Sequence, residues 1–266
     1  KRLRGEFIKA AAAAVHVDID ELRQFHPHID AIKRDDPMNM GGHTHQDAGE
    51  WTGFLLHDAK SVKNNIIFEV TLGNINWIEP EIKAFQRDGY SVDMHVMAVH
   101  ESISRYSLFK RFEDAIRQNV RENPPRFVPV AYHDEACKNL PDNVDHLERR
   151  CTLGIVTVNN RAGTILYRRD NGIANPGAKD AILLERSRAW TKEETATHIR
   201  DWQDIIKTAE ARPDDALKPA FYLAALQEAA LMAVQYPQIN VPAPAQEQDL
   251  LPNIDAGKKD AKPSGP

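Results

Sequence analysis

The residues best suited to chemistry are two carboxylates, Asp18 and Asp20, at the end of a short apolar strand. From residue 15 to residue 20 apolar side chains alternate with polar ones, which is the two-residue period of a strand with one apolar face. In open α/β sheets ligands bind outside the carboxyl ends of the strands, so these carboxylates lie where an enzyme would mount a general base. The alternative is that Asp20 only caps the helix beginning at Glu21, because Asp is a favoured N-cap residue.

A second polar pair ends the strand predicted at residues 65–71. The two-residue period puts Glu69 and Thr71 on one side of this strand. At the ligand-binding edge of a sheet, a carboxylate beside a hydroxyl is suited to a sugar or ribose. A polar strand end with a purely structural role is the alternative.

Basic side chains are concentrated in a helix predicted to begin near Ser102 and in the Pro-rich loop that follows it. They are Arg105, Lys110, Arg111, Arg117, Arg121 and Arg126. Such cations neutralise the charge that develops on a transferring phosphoryl group. A solvated helix face is the alternative interpretation.

Two further histidine patterns are weaker. His43 and His45 follow two glycines but lack a spaced third ligand, so no metal site is expected there. His133 and Asp134 are adjacent in the sequence, and adjacent helical side chains do not face each other. We therefore expect them not to form a catalytic pair, and the sequence contains no motif for a Ser or Cys nucleophile.

The order of the predicted elements indicates an α/β fold. Apolar strands at 65–71, 92–99 and 153–158 are separated by segments of helix length, and a hairpin at 159–163 leads to a last strand at 164–167. This order is typical of parallel βαβ units with an antiparallel edge. Thr191 and Glu194 form the pattern of a capping box, which predicts a helix to about residue 209, and a second helix is predicted at 213–236.

Composition narrows the functional classes. The net charge of −5 over 266 residues disfavours a protein built mainly to bind nucleic acid. Two cysteines are too few for a disulfide scaffold, and no apolar run reaches the roughly 18 residues of a membrane span. We therefore expect a cytoplasmic protein with neither a nucleic-acid partner nor a membrane partner.

Several separated segments resemble the zeta toxins, the kinases of bacterial toxin–antitoxin systems. Residues 15–27 resemble the strand and helix that follow the P-loop in that family, and residues 68–71 resemble its Glu-Gly-Thr strand end. The family's order and spacing continue at residues 97–99, 111–113, 126–129, 133–134 and 138–141. A further segment, residues 184–190, resembles one that is common in proteobacterial members. The resemblance covers about residues 1–200.

The resemblance implies a P-loop-kinase-like parallel sheet flanked by helices, with an added C-terminal helical region. The expected divisions are a kinase domain at 1–200, a helical extension at 201–242 and a disordered tail at 243–266. The implied reaction is phosphorylation of the 3′-hydroxyl of UDP-N-acetylglucosamine with ATP and Mg²⁺, which blocks cell-wall synthesis. The implied location is the cytoplasm, or that of a target cell, and an antitoxin is the implied partner.

The resemblance also assigns roles to individual residues. Asp20 matches the catalytic base, while Arg111 and Arg126 match the arginines that contact the phosphates of the transferring group and of the cofactor. The remaining expected substrate contacts are Asp18, Glu50, Glu69 and Thr71. Glu50 is included because it lies one turn from Gly53, which occupies the position of the family's substrate-binding glutamate.

Departures from the family pattern leave other functions open. The 266 residues contain no Gly-x-x-x-x-Gly-Lys-Ser/Thr loop, and residues 1–14 read as the helix that follows one. We therefore expect that the first strand and loop have been cut away and that this polypeptide alone is inactive. Val70 replaces the family's glycine, and Gly73 stands where many members have an arginine. The alternatives are an effector-type kinase acting on a dinucleotide such as NAD and a catalytically dead binding module.

Overall fold

The structure is a computed structural model that describes residues 14–118, 127–170 and 177–211. The strands within these ranges are β1 (Ala14–Asp18), β2 (Asn65–Glu69), β3 (Val92–Ala98), β4 (Leu153–Asn160) and β5 (Ile165–Arg169). The helices are α1 (Ile19–Leu22), α2 (Ile29–Asp35), α3 (Met40–His43), α4 (His45–Ser61), α5 (Ile75–Arg87), α6 (Glu101–Gln118), α7 (Val130–Arg150), α8 (Ala178–Ser187) and α9 (Lys192–Glu210). Short 3₁₀ turns cover Arg23–Phe25 and Pro37–Asn39.

The strand pairing confirms the predicted α/β class. β1 pairs in parallel with β2, and β3 pairs in parallel with β4. β5 returns antiparallel to β4, which is the edge predicted from the hairpin. Within the described residues these strands form two sheets, β1-β2 and β3-β4-β5, where the sequence predicted one. Val92 at the start of β3 packs into the apolar clusters of both sheets.

The larger core lies between β3-β4-β5 and the helices beside it. Along β3 the buried side chains are Met94, Val96 and Ala98, whereas the residues between them are exposed, as the two-residue period of a half-buried strand requires. The long helix α7 contributes Val144 and Leu147, both fully buried, at the three-residue spacing of one helix face. Burial of this apolar stripe holds α7 against the sheet.

Two local predictions are confirmed by the turns and caps. Gly163 has φ +90° in the β4–β5 hairpin, a conformation that costs glycine nothing. Thr191 Oγ1 accepts a hydrogen bond from the Glu194 backbone N–H at 3.1 Å, and the Glu194 carboxylate accepts one from the Thr191 backbone N–H at 2.8 Å. Hydrogen bonds from Arg188 and from Thr191 lower the pKa of Glu194 to about 2.

The chain divides by its contacts at Glu194, with a second unit beginning at Thr195. The predicted boundaries at 200 and 242 stay predictions. The helix expected at 213–236, the tail expected from 243, and Arg126 all lie outside the described residues. Among the helices that the structure describes, none has the length and apolar composition of a membrane span.

Burial predicts very different costs for the same substitution at two leucines. Leu147 is fully buried in the core and Leu184 on α8 is 74% exposed. We expect Leu147→Ala to lower the free energy of unfolding by about 2–5 kcal/mol, because it opens a cavity. The control Leu184→Ala should change it by less than about 0.5 kcal/mol. Urea denaturation of both variants measures the difference, and equal effects would contradict the packing described here.

Candidate active site

The candidate site is built on the carboxyl ends of β1 and β2. In their parallel register Asp18 lies opposite Glu69, so the two carboxylates leave adjacent strands side by side. His16 lies two residues before Asp18 and therefore shares its face of the sheet. Asp18 and Glu69 were each predicted to lie at the carboxyl end of their own strand, where the structure places them.

Asp18, and not Asp20, caps the helix that follows β1. The Asp18 Oδ1 atom accepts a hydrogen bond of 2.9 Å from the Asp20 backbone N–H, and Asp20 lies in the first turn of α1. The alternative in which Asp20 serves only as the N-cap is therefore wrong. The turn from β1 into α1 leaves the Asp20 side chain 39% exposed, within reach of a ligand at the strand ends.

The buried Arg23 side chain hydrogen-bonds to the Asp20 carboxylate. Its Nε donates to Asp20 Oδ1 at 3.1 Å, and its Nη1 donates at 2.8 Å to both the Gly41 carbonyl oxygen and the Thr44 hydroxyl. The Arg23 residue is only 7% exposed. Burial lowers the pKa of Arg23, while the charge of Asp18 opposes that shift. No local sequence pattern marks Arg23 as part of the site, because its partners at 41 and 44 are distant along the chain.

His16 lies between the carboxylates of Glu69 and Glu21. Its Nε2 lies 2.9 Å from Glu69 Oε1 and its Nδ1 lies 3.4 Å from Glu21 Oε2. Within the described residues, His16, Asp18 and Glu69 are the group whose side chains have the spacing of metal ligands. The only sequence signal for His16 was its place in the alternating pattern of β1.

Arg111 on α6 lies within electrostatic reach of this edge. Its side chain is exposed, yet partial burial of the charged group lowers the pKa of Arg111 and the charge of Asp18 opposes the shift. The structure therefore brings one of the two predicted arginines near the carboxylates. Arg126, the other, lies outside the described residues.

Thr71 lies beyond the strand, since β2 ends at Glu69. The strand is two residues shorter than predicted, and at Leu72, directly after Thr71, the backbone adopts φ +53°. Asn143 on α7 donates hydrogen bonds to the carbonyl oxygens of Leu72 (2.7 Å) and Gly73 (3.3 Å). A side chain at Gly73 would place its Cβ 3.3 Å from the Ala136 Cβ, so α7 approaches this turn closely.

Glu50 lies on the exposed side of α4. The buried face of that helix is formed by Ala48, Thr52, Leu56 and Ala59, and Glu50 accepts a hydrogen bond from Gln46 at 3.2 Å. A Cβ at Gly53 would meet no atom within 4 Å. The substrate-binding role of Glu50 stays a prediction.

His133 and Asp134 do contact each other, against the expectation that adjacent residues point apart. The His133 Nδ1 lies 2.9 Å from Asp134 Oδ1, and its Nε2 lies 2.8 Å from the Ser104 hydroxyl of α6. Arg105 donates two hydrogen bonds to Asp134 at 2.8 and 3.0 Å. Burial raises the pKa of Asp134, but these hydrogen bonds outweigh it and lower the pKa. The network joins α6 to α7.

Comparison with known proteins identifies the family to which this protein belongs. The family model described as zeta toxin matches residues 2–172. The chain belongs to the zeta toxin family. The resemblance seen in the sequence is thereby confirmed, and at the level of the family it indicates a kinase-like toxin with a phosphotransferase fold.

Individual zeta toxins are distant in sequence. Toxin PezT of Streptococcus pneumoniae is 24% identical over 204 residues, covering 77% of this chain and 76% of PezT. Toxin zeta of Enterococcus hirae is 24% identical over 180 residues, covering 68% of this chain and 61% of that toxin. A solved structure from the PezAT toxin–antitoxin system of S. pneumoniae superimposes with a TM-score of 0.62 at 20% identity, covering 76% of this chain and 79% of that one. The likeness confirms the P-loop-kinase-like α/β fold.

The buried arginine at the site predicts a large stability effect. Arg23→Ala removes three hydrogen bonds, including the one to the buried Thr44 hydroxyl, so we expect a loss of about 2–4 kcal/mol in the free energy of unfolding. Arg149 is a matched control, because it pairs with Asp145 on one helix and is 59% exposed. Arg149→Ala should cost less than about 1 kcal/mol. Chemical denaturation measures the free energy of unfolding of both variants. A loss for Arg23→Ala no larger than that for Arg149→Ala would contradict a stabilising role for the Arg23 hydrogen bonds.

Proposed function

We propose that the protein is an ATP-dependent phosphotransferase that phosphorylates the 3′-hydroxyl of UDP-N-acetylglucosamine and thereby blocks cell-wall synthesis. The observation that supports this most is the strand-end cluster. There the Asp20 carboxylate is exposed to a ligand on one side and hydrogen-bonded to buried Arg23 on the other. A general base needs this combination of access and fixed orientation.

In the proposed reaction Asp20 is the general base. The acceptor hydroxyl attacks the terminal phosphorus of ATP and its proton passes to the Asp20 carboxylate, while the bond from that phosphorus to the β,γ-bridging oxygen breaks and ADP leaves. The hydrogen bond from Arg23 orients that carboxylate toward the acceptor. Asp18 and Glu69, on neighbouring strand ends, are the proposed contacts to the sugar, together with Thr71 and Glu50.

Charge neutralisation is assigned to arginines. Arg111 and Arg126 are proposed to contact the phosphates, as cations do in phosphoryl transfer. ATP with Mg²⁺ supplies the phosphoryl group. The Mg²⁺ would be held chiefly by the phosphates of ATP, as is usual for this ion.

A second candidate acceptor is a dinucleotide such as NAD. It is favoured by the altered chain after Glu69, where Val70 and the left-handed Leu72 replace a glycine-containing strand end. A non-catalytic binding module is the third possibility. We also propose that the protein acts in the cytoplasm and that an antitoxin restrains it, since the structurally similar PezT belongs to a toxin–antitoxin system.

Acceptor choice can be tested by binding. We expect isothermal titration calorimetry to show saturable binding of UDP-N-acetylglucosamine to the chain and weaker binding of NAD. Glu69→Gln should reduce the affinity about tenfold or more, because a hydrogen bond to a charged group contributes about 1.5–3 kcal/mol. Asp142→Asn is the control, since Asp142 is 73% exposed and pairs with Lys179. Tighter binding of NAD would favour the second candidate, and binding of neither ligand would favour the third.

The role of Asp20 can be tested by substitution in the protein assayed with ATP, Mg²⁺ and the sugar nucleotide. Asp20→Asn should retain nucleotide binding and lose phosphoryl transfer by about 10²–10⁴-fold, the usual contribution of a general base. The transfer is followed by ³¹P NMR of the sugar phosphate. Turnover close to that of the parent would refute the assignment of Asp20.

A further inference from the structure

His16 adds a nitrogen donor to the two strand-end carboxylates. One donor atom from each of His16, Asp18 and Glu69 lies within 4.8 Å of the others, and the His16 Nε2 is 2.9 Å from Glu69 Oε1. Two ligands bound to one ion at about 2.0–2.2 Å stand at most about 4.4 Å apart. Side-chain movements of a few tenths of an ångström would therefore bring all three donor atoms within bonding distance of one ion.

The second ring nitrogen of His16 is also placed as a metal ligand requires. Its Nδ1 lies 3.4 Å from Glu21 Oε2, on the side away from Glu69. Metal-binding histidines almost always donate their other ring N–H to a carboxylate, a carbonyl or water, which fixes the tautomer and the ring orientation. Glu21 has the position of that orienting carboxylate, and it lies on α1, a different element from β1.

We propose that His16, Asp18 and Glu69 form a binding site for a divalent transition-metal ion, with Glu21 orienting the histidine. Imidazole favours Zn²⁺ and its neighbours in the first transition row, whereas a site made only of carboxylates favours Mg²⁺, Ca²⁺ and Mn²⁺. One nitrogen and two carboxylates therefore favour Zn²⁺ over both Mn²⁺ and Mg²⁺. Three protein ligands leave coordination positions for water or a ligand oxygen.

Access and charge are compatible with an ion at this place. The Glu69 side chain is 41% exposed and the His16 side chain 15%, so the ion enters from the Glu69 side. Asp18, Glu69 and Glu21 supply the negative charge, and Arg23 and Arg111 interact electrostatically with Asp18. The inference goes beyond the proposed reaction, because it concerns binding of an ion to the chain without ATP or sugar.

The test uses Mn²⁺ with the whole chain, because this ion is visible by electron paramagnetic resonance and binds thiols weakly. We expect saturable binding of one Mn²⁺ per chain, with Zn²⁺ displacing it at lower concentration than Mg²⁺ does. His16→Gln and Glu69→Gln should each weaken Mn²⁺ binding at least tenfold. Glu21→Gln should weaken it about tenfold, which is the usual effect of an orienting carboxylate.

A surface histidine provides the matched control. His43 Nε2 lies 2.8 Å from Asp36 Oδ2, and both side chains are more than 40% exposed. His43→Gln should leave Mn²⁺ binding unchanged. The proposal is overturned if Mn²⁺ does not saturate, if Mg²⁺ displaces it as well as Zn²⁺ does, or if His16→Gln binds as tightly as the parent. Circular dichroism verifies folding, and Glu69→Gln, at an exposed side chain, tests the site even where a His16 variant unfolds.

Discussion

The parallel pairing of β1 with β2 is the constraint on which the candidate site depends. Their register sets Asp18 opposite Glu69 and points His16 toward the same carboxylates. A slip of one residue would turn each of these side chains to the opposite face. The fully buried Val17 between His16 and Asp18 opposes such a slip, because it would expose the apolar side chain. The strand register that buries Val17 is therefore also the one that places the site residues.

A buried arginine extends this constraint to the following helices. Arg23 reaches from the turn after α1 to oxygens near α3 and α4. An arginine that is 7% exposed is stable only when its donors are paired. The pairing ties Asp20, through Arg23, to oxygens that lie 18 and 21 positions beyond Arg23 along the chain. The base candidate is thus oriented by the docking of several elements rather than by its own helix.

The helix α7 stabilises the turn that follows β2. Leu72 adopts a left-handed conformation that costs a non-glycine residue about 1–3 kcal/mol. The hydrogen bonds from Asn143 and the packing of Leu72 against the larger core offset that cost. The same helix contacts α6 through His133 and Asp134. α7 therefore supports both the turn that follows β2 and the helix that carries Arg111.

The sequence by itself determined the α/β class, the strand ends that carry the carboxylates, the β4–β5 hairpin and the capping box before α9. Each depends on residues close along the chain, whose periodicity or turn chemistry is visible in the letters. Only the tertiary structure decided that Asp18 is the cap, that Arg23 holds Asp20, and that Thr71 leaves the strand. These features depend on partners brought together by strand register and helix docking. Contacts such as His16 with Glu69, separated by 53 positions, leave no local pattern from which to predict them.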